Sequence, residues 1–143
     1  MNKLRIGIIG AGRIGTVHAR SITYHIPQAQ VVCVSDVAKD RAKALAAELG
    51  IPDFTGDYRE ILADPDVDAV LVCSPTNTHA DITIEAARAG KHIFCEKPVD
   101  LTIEKILAAK KAAEEAGVKL QIGFNRRFDH NHGRIQQLVA GGA

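Results

Sequence analysis

The sequence predicts an α/β fold in which a doubly wound parallel sheet lies between two layers of helices, a three-layer αβα arrangement. Short apolar runs rich in Val and Ile alternate along the chain with segments of helical periodicity. Hydrophobic residues make up 46% of the 143 residues but aromatic residues only 4%, which is typical of aliphatic parallel strands under Ala- and Leu-rich helices. Glycines spaced G-x-G-x-x-G directly follow the first apolar run.

Runs of consecutive apolar residues predict the strands, and turn residues or polar loops separate each run from the next element. The third run, which follows Gly50, is short and weakly apolar. The predicted strands comprise residues 4–9, 31–35, 51–55, 69–73, 92–95 and 118–124.

Helical periodicity predicts a helix after each strand. In the second helix, apolar residues recur at i, i+3, i+4 and i+7 from Ala42 to Leu49. Asp57 and Glu60 form a capping-box pattern at the start of a short helix, and Gly117 is a typical helix stop. The predicted helices comprise residues 12–24, 39–49, a short segment from Asp57, a segment carrying Ile82, Ala86 and Ala89, residues 102–116, and a final segment carrying Ile135, Leu138 and Val139.

The glycine spacing after the first strand is typical of dinucleotide binding in a Rossmann, NAD(P)-binding fold. Gly10 permits the tight turn, Gly12 lets a pyrophosphate approach the backbone, and Gly15 lets the following helix pack closely on the strand. The helix N-terminus then offers free N–H groups and a positive dipole end to the phosphates. Glycines also gather in ordinary loops, so the spacing alone is a weak signal and its context carries the prediction.

A carboxylate at the predicted tip of the second strand strengthens the dinucleotide prediction. Asp36 stands about 20 residues after the last glycine, where an acidic residue accepts both hydroxyls of an adenosine ribose. Asp36 would repel a 2′-phosphate, and the neighbouring Val37 offers no cation. We therefore expect NAD in preference to NADP, although Lys39 and Arg41 lie nearby in the sequence.

Composition and charge argue against several classes of protein. The formal net charge of +1 provides no basic stripe, so we expect no nucleic-acid partner. The apolar runs are far shorter than a membrane span, and the start of the chain lacks the pattern of a signal peptide. We expect a soluble cytoplasmic protein with no membrane partner.

The cysteines and histidines do not form a predicted metal site. Cys33, Cys73 and Cys95 each fall in or at the end of an apolar run, which predicts small buried thiols. His130 and His132 are two residues apart and would not share a helix face. A polar helix start is the preferred interpretation of that segment, and we expect no metal.

In a doubly wound sheet the loops after the strands face one crevice at the carboxyl edge. Lys97 follows the fifth strand and would lie at that crevice, where a lysine can hydrogen-bond a substrate hydroxyl and favour its alkoxide as hydride leaves. The alternative is an exposed ion pair of Glu96 and Lys97 beside a loop proline. Because cis-prolines occur in tight functional turns, we predict that the Lys97–Pro98 bond is cis.

Several motifs, in order along the whole chain, resemble the glucose–fructose oxidoreductase/inositol dehydrogenase/MocA family, most of all its inositol 2-dehydrogenase branch. They are the GAGRIG start, Asp36, Ser74-Pro75-Thr76-Asn77-Thr78-His79, Glu96-Lys97-Pro98, and Gly123-Phe124-Asn125-Arg126-Arg127-Phe128-Asp129. The inositol assignment depends mainly on the stretch from Phe124 to Phe128.

The resemblance implies roles for individual residues. Lys97 matches the catalytic lysine of the family, Glu96 would approach the nicotinamide ribose, and Arg127 would contact a polyol hydroxyl. The implied cofactor-binding residues are Gly10, Gly12, Arg13 and Ile14 at the pyrophosphate, Asp36 at the adenosine ribose, and Ser74, Thr76, Asn77 and His79 along the crevice.

Two of these assignments have equally weighted alternatives. His79 is also typical of a helix-start residue with a local hydrogen bond. Arg126 and Arg127 can also be interpreted as a solvated pair at the start of a helix. For Arg126, this interpretation and a role in the site have equal weight.

The chain departs from the family in length. We expect a dinucleotide-binding domain at residues 1–124 and, at residues 125–143, a terminal helix leading toward a C-terminal substrate and oligomerisation domain that this chain lacks. That second domain supplies an aspartate and a histidine beside the lysine, so we expect this chain to be inactive by itself. Its last helix would expose Ile135, Leu138 and Val139, and self-association through this stripe is expected.

The resemblance implies the NAD-binding domain of a dehydrogenase that transfers a hydride from a polyol ring carbon to NAD and gives a ketone, with myo-inositol as the expected substrate. Two alternatives stay open at this point. The chain could be a binding module that holds NAD(H) without catalysis, or the family member could act on a sugar or another polyol.

Overall fold

The structure is a computed structural model that describes residues 3–142. The strands are β1 (Leu4–Ile9), β2 (Ala29–Ser35), β3 (Asp53–Thr55), β4 (Ala69–Val72), β5 (His92–Cys95) and β6 (Leu120–Ile122). The helices are α1 (Arg13–His25), α2 (Lys39–Leu49), α3 (Tyr58–Ala63), α4 (His79–Arg88), α5 (Ile103–Ala116) and α6 (His130–Ala140). Short 3₁₀ turns at Thr76–Thr78 and Asn125–Phe128 precede α4 and α6.

All six strands are parallel and lie in the order β3-β2-β1-β4-β5-β6. The chain therefore adds β2 and β3 on one side of β1, and then adds β4, β5 and β6 on the other side. This is the Rossmann-type doubly wound order, and the predicted fold class is confirmed.

The predicted boundaries agree with the structure to within a residue or two. β2 begins earlier than predicted because Ala29 pairs with Leu4 of β1. β3 begins later than predicted, after Pro52, which has no N–H to donate to a neighbouring strand. β6 is also shorter, because the Val118 N–H bonds to the Ala113 carbonyl at 3.1 Å and closes the end of α5.

Helices cover both faces of the sheet. α1 and α2 pack on one face through small and aliphatic residues such as Ala19 and Leu45. α3, α4 and α5 pack on the other face, and contribute Ile61, Ile82 and Ala109 to its core. These side chains are at most 5% exposed, so each face of the sheet has a buried aliphatic core, as the low aromatic content predicts.

Hydrogen bonds tie together the strand ends at the point where the strand order reverses. The Gly10 N–H, just past β1, donates to the Ser35 carbonyl at 2.8 Å. The Cys73 N–H, just past β4, donates to the Ile9 carbonyl at 2.8 Å. The loops after β1, β2 and β4 therefore leave the sheet at one edge, where ligands of such folds bind.

The predicted capping box at the start of α3 forms only in part. The Asp57 carboxylate accepts the Arg59 N–H at 2.9 Å, as an N-cap should. In a complete capping box Glu60 would accept the Asp57 N–H directly. Here Thr55 links the two residues, because its hydroxyl donates to Glu60 Oε1 at 2.7 Å and accepts the Asp57 N–H at 3.1 Å. The end of β3 is thereby linked to the first turn of α3.

α6 lies on the surface, with Asp129 capping its start by accepting the His132 N–H at 3.0 Å. Ile135, Leu138 and Val139 are 59%, 42% and 68% exposed, so the predicted apolar stripe is present. Self-association through that stripe stays a prediction. Throughout residues 3–142, each helix is too short or too polar to cross a lipid bilayer.

Candidate functional site

The turn after β1 requires glycine at its first position. Gly10 has a φ of +103°, in the region that side chains rarely adopt. A Cβ at Gly10 would lie 2.6 Å from the Cys73 carbonyl oxygen, because the end of β4 crosses directly behind the turn. Gly10 therefore allows β1 and β4 to approach each other at the edge of the sheet.

The other two glycines of the motif have different surroundings. A Cβ at Gly15 would clash with the Gly10 carbonyl, so Gly15 permits close packing of α1 on the turn. A Cβ at Gly12 would meet no atom within 4 Å. The space beside Gly12 is open, as the approach of a pyrophosphate to the backbone would require.

Gly12 is also the N-cap of α1, and its carbonyl accepts the Thr16 N–H at 2.9 Å. The N–H groups of Arg13, Ile14 and Gly15 precede that bond, and the helix itself offers them no acceptor. The Arg13 side chain is exposed and Ile14 is half-buried. The start of α1 thus presents backbone donors and the positive end of the helix dipole to the open space, which suits an anionic ligand.

Asp36 lies at the end of β2, and its carboxylate reaches the glycine turn. Its Oδ2 accepts the Ala11 N–H at 2.9 Å, and its Oδ1 accepts the Ala38 N–H at 2.9 Å. The Arg41 Nη1 lies 3.7 Å from Oδ2, and the Asp36 side chain is only 8% exposed. A fixed carboxylate beside the turn is the arrangement that the sequence predicts for a ribose contact.

A cavity of about 650 Å³ extends along this edge of the sheet. Its volume is within the ~300–1,000 Å³ usual for small-molecule sites. Among the predicted residues, Gly10, Gly12, Asp36 and Ser74 lie in its wall. Pro75 and Thr78 of the loop after β4 also lie in this wall. Thr76 and Asn77 lie outside the lining, and their contact with a bound cofactor stays a prediction.

The cavity is also lined by residues for which the sequence predicts no role in the site. Tyr58 and Arg59 at the start of α3, and Glu85 on α4, close the side that lies beyond Asp36. Glu85 accepts hydrogen bonds from both, from the Tyr58 hydroxyl at 3.0 Å and from Arg59 Nη2 at 3.3 Å. Burial and the hydrogen bond to Glu85 raise the pKa of Tyr58, so its hydroxyl stays protonated. The capping pattern at Asp57 marked the start of α3 but carried no sign of this cluster.

His79 lies beneath the site, 2% exposed, and connects two of its loops. One ring nitrogen, Nδ1, is 2.8 Å from the Pro98 carbonyl oxygen, and Nε2 is 2.7 Å from the Ser74 carbonyl oxygen. Both ring nitrogens thus contact backbone carbonyls, and the contact with Ser74 is the local one that the helix-start alternative describes. The role of His79 beside a bound cofactor stays a prediction. His79 positions the loops after β4 and β5 relative to each other.

Glu96 is paired with α1 across the end of the sheet. Its Oε1 lies 2.7 Å from Nε2 of His18, to which the sequence analysis gave no role. The Phe94 ring packs edge-on against the His18 ring at a centroid distance of 5.3 Å. Oε2 of Glu96 accepts the Lys97 N–H at 3.2 Å. The Glu96 carboxylate therefore links α1 to the backbone that carries Lys97.

The Lys97–Pro98 bond is cis, as predicted. Lys97 is exposed and lines a second cleft of about 340 Å³ together with Phe124, Asn125 and Arg126. The structure thus brings Arg126 to the Lys97 cleft, whereas the predicted substrate residue Arg127 lies outside its lining.

The three cysteines are free and buried, in agreement with the prediction of small buried thiols. Burial raises the pKa of Cys33 and of Cys73 to about 12, and that of Cys95 to about 11. Nucleophilic chemistry at these thiols is therefore disfavoured. Within the described part of the chain, His, Cys, Asp and Glu side chains form no group of three that could hold a metal ion.

Comparison with known proteins relates this geometry to a family. Residues 4–124 match the family described as "Oxidoreductase family, NAD-binding Rossmann fold", the Gfo/Idh/MocA oxidoreductases. The chain is 47% identical over 136 residues to the uncharacterized oxidoreductase YrbE of Bacillus subtilis (strain 168), covering 95% of this chain and 40% of that protein. It is 44% identical over 139 residues to the myo-inositol 2-dehydrogenase of Thermotoga maritima, covering 97% of this chain and 41% of that protein.

A solved structure supports the same relationship. The crystal structure of scyllo-inositol dehydrogenase from Lactobacillus casei, with bound cofactor NAD(H) and scyllo-inositol, superposes with a TM-score of 0.91 at 36% identity. The match covers 99% of this chain and 42% of that one. The chain thus spans about 40% of the length of the curated relatives it matches. With its glycine turn, its Asp36 and a family match over residues 4–124, the chain belongs to the Gfo/Idh/MocA family of oxidoreductases, as an NAD-binding Rossmann domain.

Proposed function

We propose that this domain holds NAD for the oxidation of a cyclic polyol, with an inositol as the favoured substrate. The observation that carries the proposal is the position of Asp36 between the glycine turn and the cavity. In this position its carboxylate can accept the two adenosine ribose hydroxyls while the start of α1 faces the pyrophosphate. The same carboxylate would disfavour a 2′-phosphate.

NAD, when bound, supplies the acceptor for a hydride from a substrate C–H bond. Lys97 is the group of this chain that we propose assists, by hydrogen bonding to the substrate hydroxyl and stabilising negative charge on its oxygen. The family resemblance implies that the hydroxyl proton passes to a histidine of the second domain. Lys97 is exposed in a cleft at the edge of the sheet where the cofactor cavity also opens. The product of such a step is a ketone.

Supporting residues hold Lys97 in place. Glu96 accepts the Lys97 N–H, and His18 fixes the Glu96 carboxylate from α1. His79 holds the Pro98 carbonyl from below. We propose that Arg126, which shares the cleft with Lys97, contacts a polyol hydroxyl, and the family resemblance suggests the same for Arg127.

The inositol substrate is proposed from the relatives. The matched proteins include a myo-inositol 2-dehydrogenase and a scyllo-inositol 2-dehydrogenase (NAD(+)). The matched chain segments cover about 40% of those proteins, so the choice among inositols, sugars and other polyols is left to experiment.

The first test is a calorimetric titration of the 143-residue chain with NAD and, in parallel, with NADP. Saturable NAD binding with much weaker NADP binding is the expected result. If neither dinucleotide binds, or if NADP binds more tightly, the proposed ribose contact at Asp36 is contradicted.

The second test locates the substrate without requiring turnover. The chain is saturated with NADH, and myo-inositol, scyllo-inositol or glucose is added while backbone and side-chain NMR signals are followed. We expect myo-inositol or scyllo-inositol to shift signals of Lys97 and Arg126, and a nuclear Overhauser effect to connect Lys97 with the nicotinamide ring. Shifts with glucose alone would favour a sugar substrate, and a nicotinamide ring distant from Lys97 would contradict its proposed role.

A further inference from the structure

The far end of the cofactor cavity, beyond Asp36, is formed by a cluster that the proposed function has not used. Arg59 and Tyr58 come from the first turn of α3, and Glu85 comes from the middle of α4. All three line the cavity. Their contacts with one another define the shape of this end.

Glu85 contacts one edge of the Arg59 guanidinium through two nitrogens. Arg59 Nε lies 3.2 Å from Oε2 of Glu85, and Arg59 Nη2 donates to Oε1 at 3.3 Å. Such a two-point contact fixes the plane of the guanidinium as well as its position. The third nitrogen, Nη1, lies 3.7 Å from Oδ1 of Asp57. The orientation of the guanidinium is therefore set before any ligand arrives.

The Tyr58 ring lies next to the guanidinium carbon. The Arg59 Cζ lies 4.7 Å from the centre of the Tyr58 ring, and the Tyr58 hydroxyl donates to Oε2 of Glu85 at 3.0 Å. The Arg59 side chain is nonetheless 62% exposed. The guanidinium carbon thus lies over the Tyr58 ring, while the Arg59 side chain still contributes to the cavity wall.

The cluster lies next to the proposed ribose site. The Asp36 N–H donates to the Thr55 carbonyl at 3.2 Å, so β3 ends beside Asp36. Gly56 then leads directly into α3, and it also lines the cavity without a side chain to separate Asp36 from Arg59. Since adenine is attached to the ribose that Asp36 would hold, the base must occupy cavity space adjoining that ribose.

We propose that the Arg59 guanidinium, clamped by Glu85 and backed by Tyr58, is the flat surface on which the adenine ring of NAD packs. This inference builds on the proposed NAD binding at Asp36. Guanidinium planes stack well on aromatic rings, and a side chain that is already fixed loses little entropy when the base arrives.

The charges around Arg59 separate this role from phosphate binding. Its guanidinium is shared between the carboxylates of Glu85 and Asp57, so it offers little net positive charge to a 2′-phosphate. Arg41, at 3.7 Å from Asp36, is the arginine beside the ribose position. These ion pairs favour a role for Arg59 in stacking on a flat base over a role in binding an additional phosphate.

The test compares the fragments of the cofactor on single variants of the chain. Arg59→Lys keeps the positive charge and removes the planar guanidinium group. Arg20→Lys is the control, because Arg20 is also paired with a glutamate on the surface: its Nε and Nη2 lie 2.8 and 2.7 Å from Oε1 of Glu48, between α1 and α2. Binding of NAD, AMP and nicotinamide mononucleotide is measured by calorimetry, and each variant is first checked by thermal unfolding.

We expect Arg59→Lys to weaken the binding of both AMP and NAD by ~3- to 30-fold, the range for a stacked cation. Nicotinamide mononucleotide, which has no adenine, should bind as it does to the unaltered chain, and Arg20→Lys should change none of the three affinities. If the unaltered chain binds neither NAD nor AMP, the proposed function itself fails. If it binds both and Arg59→Lys binds AMP equally well, only the stacking inference is overturned.

A measurement on the unaltered chain makes the test independent of whether the variant folds. Stacked adenine exerts a ring-current shift on nearby nuclei, so AMP should move the NMR signal of the Arg59 Nε–H much more than nicotinamide mononucleotide does. An Arg59 signal that AMP leaves in place, while the signals of the Asp36 region move, would overturn the inference.

Discussion

The Asp36 carboxylate accepts the Ala11 N–H at 2.9 Å, and so joins the tip of β2 to the glycine turn that follows β1. The same carboxylate accepts the Ala38 N–H, which fixes its second oxygen. The residue that we propose contacts the ribose thus also shapes the glycine turn. Its loss should affect the recognition of both parts of a dinucleotide.

Replacing Asp36 by Asn tests the ribose contact. The variant keeps one acceptor oxygen but loses the negative charge. Since a hydrogen bond to a charged group contributes about 1.5–3 kcal/mol, we expect NAD to bind ~10- to 100-fold more weakly. NADP should lose little or gain affinity, because the repulsion of its 2′-phosphate disappears. Calorimetric titration with both dinucleotides measures the change in preference.

Asp40→Asn is the control for this experiment, because Asp40 is an exposed acid in the first turn of α2 and its replacement changes the net charge equally. Asp40→Asn should leave both affinities unchanged. An unaltered ratio of NAD to NADP affinity in Asp36→Asn would count against the ribose contact.

Adding the same side chain at two glycines of the turn should have opposite effects. Gly10→Ser forces a residue with a φ of +103° to carry a Cβ 2.6 Å from the Cys73 carbonyl oxygen, so the fold should lose at least ~1–3 kcal/mol. Gly12→Ser places a favourable N-cap residue in open space and should preserve or raise the stability of α1. Its side chain would nevertheless occupy the proposed pyrophosphate position and weaken NAD binding at least ~10-fold.

Thermal unfolding and NAD titration of the two variants separate these effects. A Gly12→Ser variant that binds NAD as tightly as the unaltered chain would show that the pyrophosphate does not lie beside Gly12.

Much of the fold and part of the site follow from short stretches of sequence. The glycine turn and Asp36 were predictable because their geometry depends on spacing within a single βαβ unit. The residues that line the crevice were harder to predict from the sequence. The 3₁₀ turn at Thr76–Thr78 places Thr78 in the cavity wall and leaves Thr76 and Asn77 outside it, and the contact of these two residues with a bound cofactor stays a prediction. The local backbone conformation of a loop decides which of its residues face inward.

The remaining contacts depend on how distant elements pack. His18 and Glu96 are 78 positions apart, and they meet only because α1 crosses the end of β5. Tyr58 and Glu85 are 27 positions apart and meet across α3 and α4. Neither pair follows from helical or strand periodicity, since that periodicity determines which face of an element is buried but not which neighbour the face meets.

Lys91 provides a test of stability at a distance from the cofactor cavity. It is 6% exposed, and its ammonium donates to the carbonyls of Asp64 and Val67 at 2.5 and 2.8 Å in the loop before β4. Lys91→Met keeps most of the apolar stem but leaves these carbonyls without their donor. We expect a loss of about 1–3 kcal/mol in the free energy of unfolding, measured with urea, and unchanged NAD affinity.

Lys110→Met is the matched control. Lys110 pairs with Glu114 at 3.5 Å on the exposed surface of α5, and such a pair contributes about 0.3–0.5 kcal/mol. Equal destabilisation by the two variants would contradict a specific role for the buried ammonium.

The cysteines should be unreactive while the chain is folded. Burial raises the pKa of Cys33 and Cys73 to about 12 and that of Cys95 to about 11, so little thiolate forms at neutral pH. A thiol-specific reagent should modify none of these cysteines in the native chain and all of them in urea. Rapid modification of Cys73 in the native chain would show that the cavity wall opens, because Cys73 is the cysteine that lines the cavity.

Asp100 should make stability depend on pH. Burial acts to raise the pKa of Asp100. Hydrogen bonds from the Thr102 and Leu101 N–H groups and the Thr102 hydroxyl, together with the charge of Lys105, lower the pKa by a larger amount, so the net shift is downward. The ionised carboxylate therefore binds the start of α5 more favourably than the protonated form does. This contribution is complete above the ordinary aspartate pKa and is lost as the pH falls through the lower pKa of the folded state.

Asp100→Asn should consequently destabilise the chain most at neutral pH, and its difference from the unaltered chain should shrink as the pH falls below about 4. Urea unfolding at a series of pH values measures that difference. Asp66→Asn, which removes an acid that is 74% exposed, should show a much smaller effect at every pH. If the deficit of Asp100→Asn were the same in acid as at neutral pH, the charge would not be what holds this helix start. The destabilisation would then come from the different shape and hydrogen bonding of the carboxamide, because these still differ from a carboxyl group when the carboxyl is protonated.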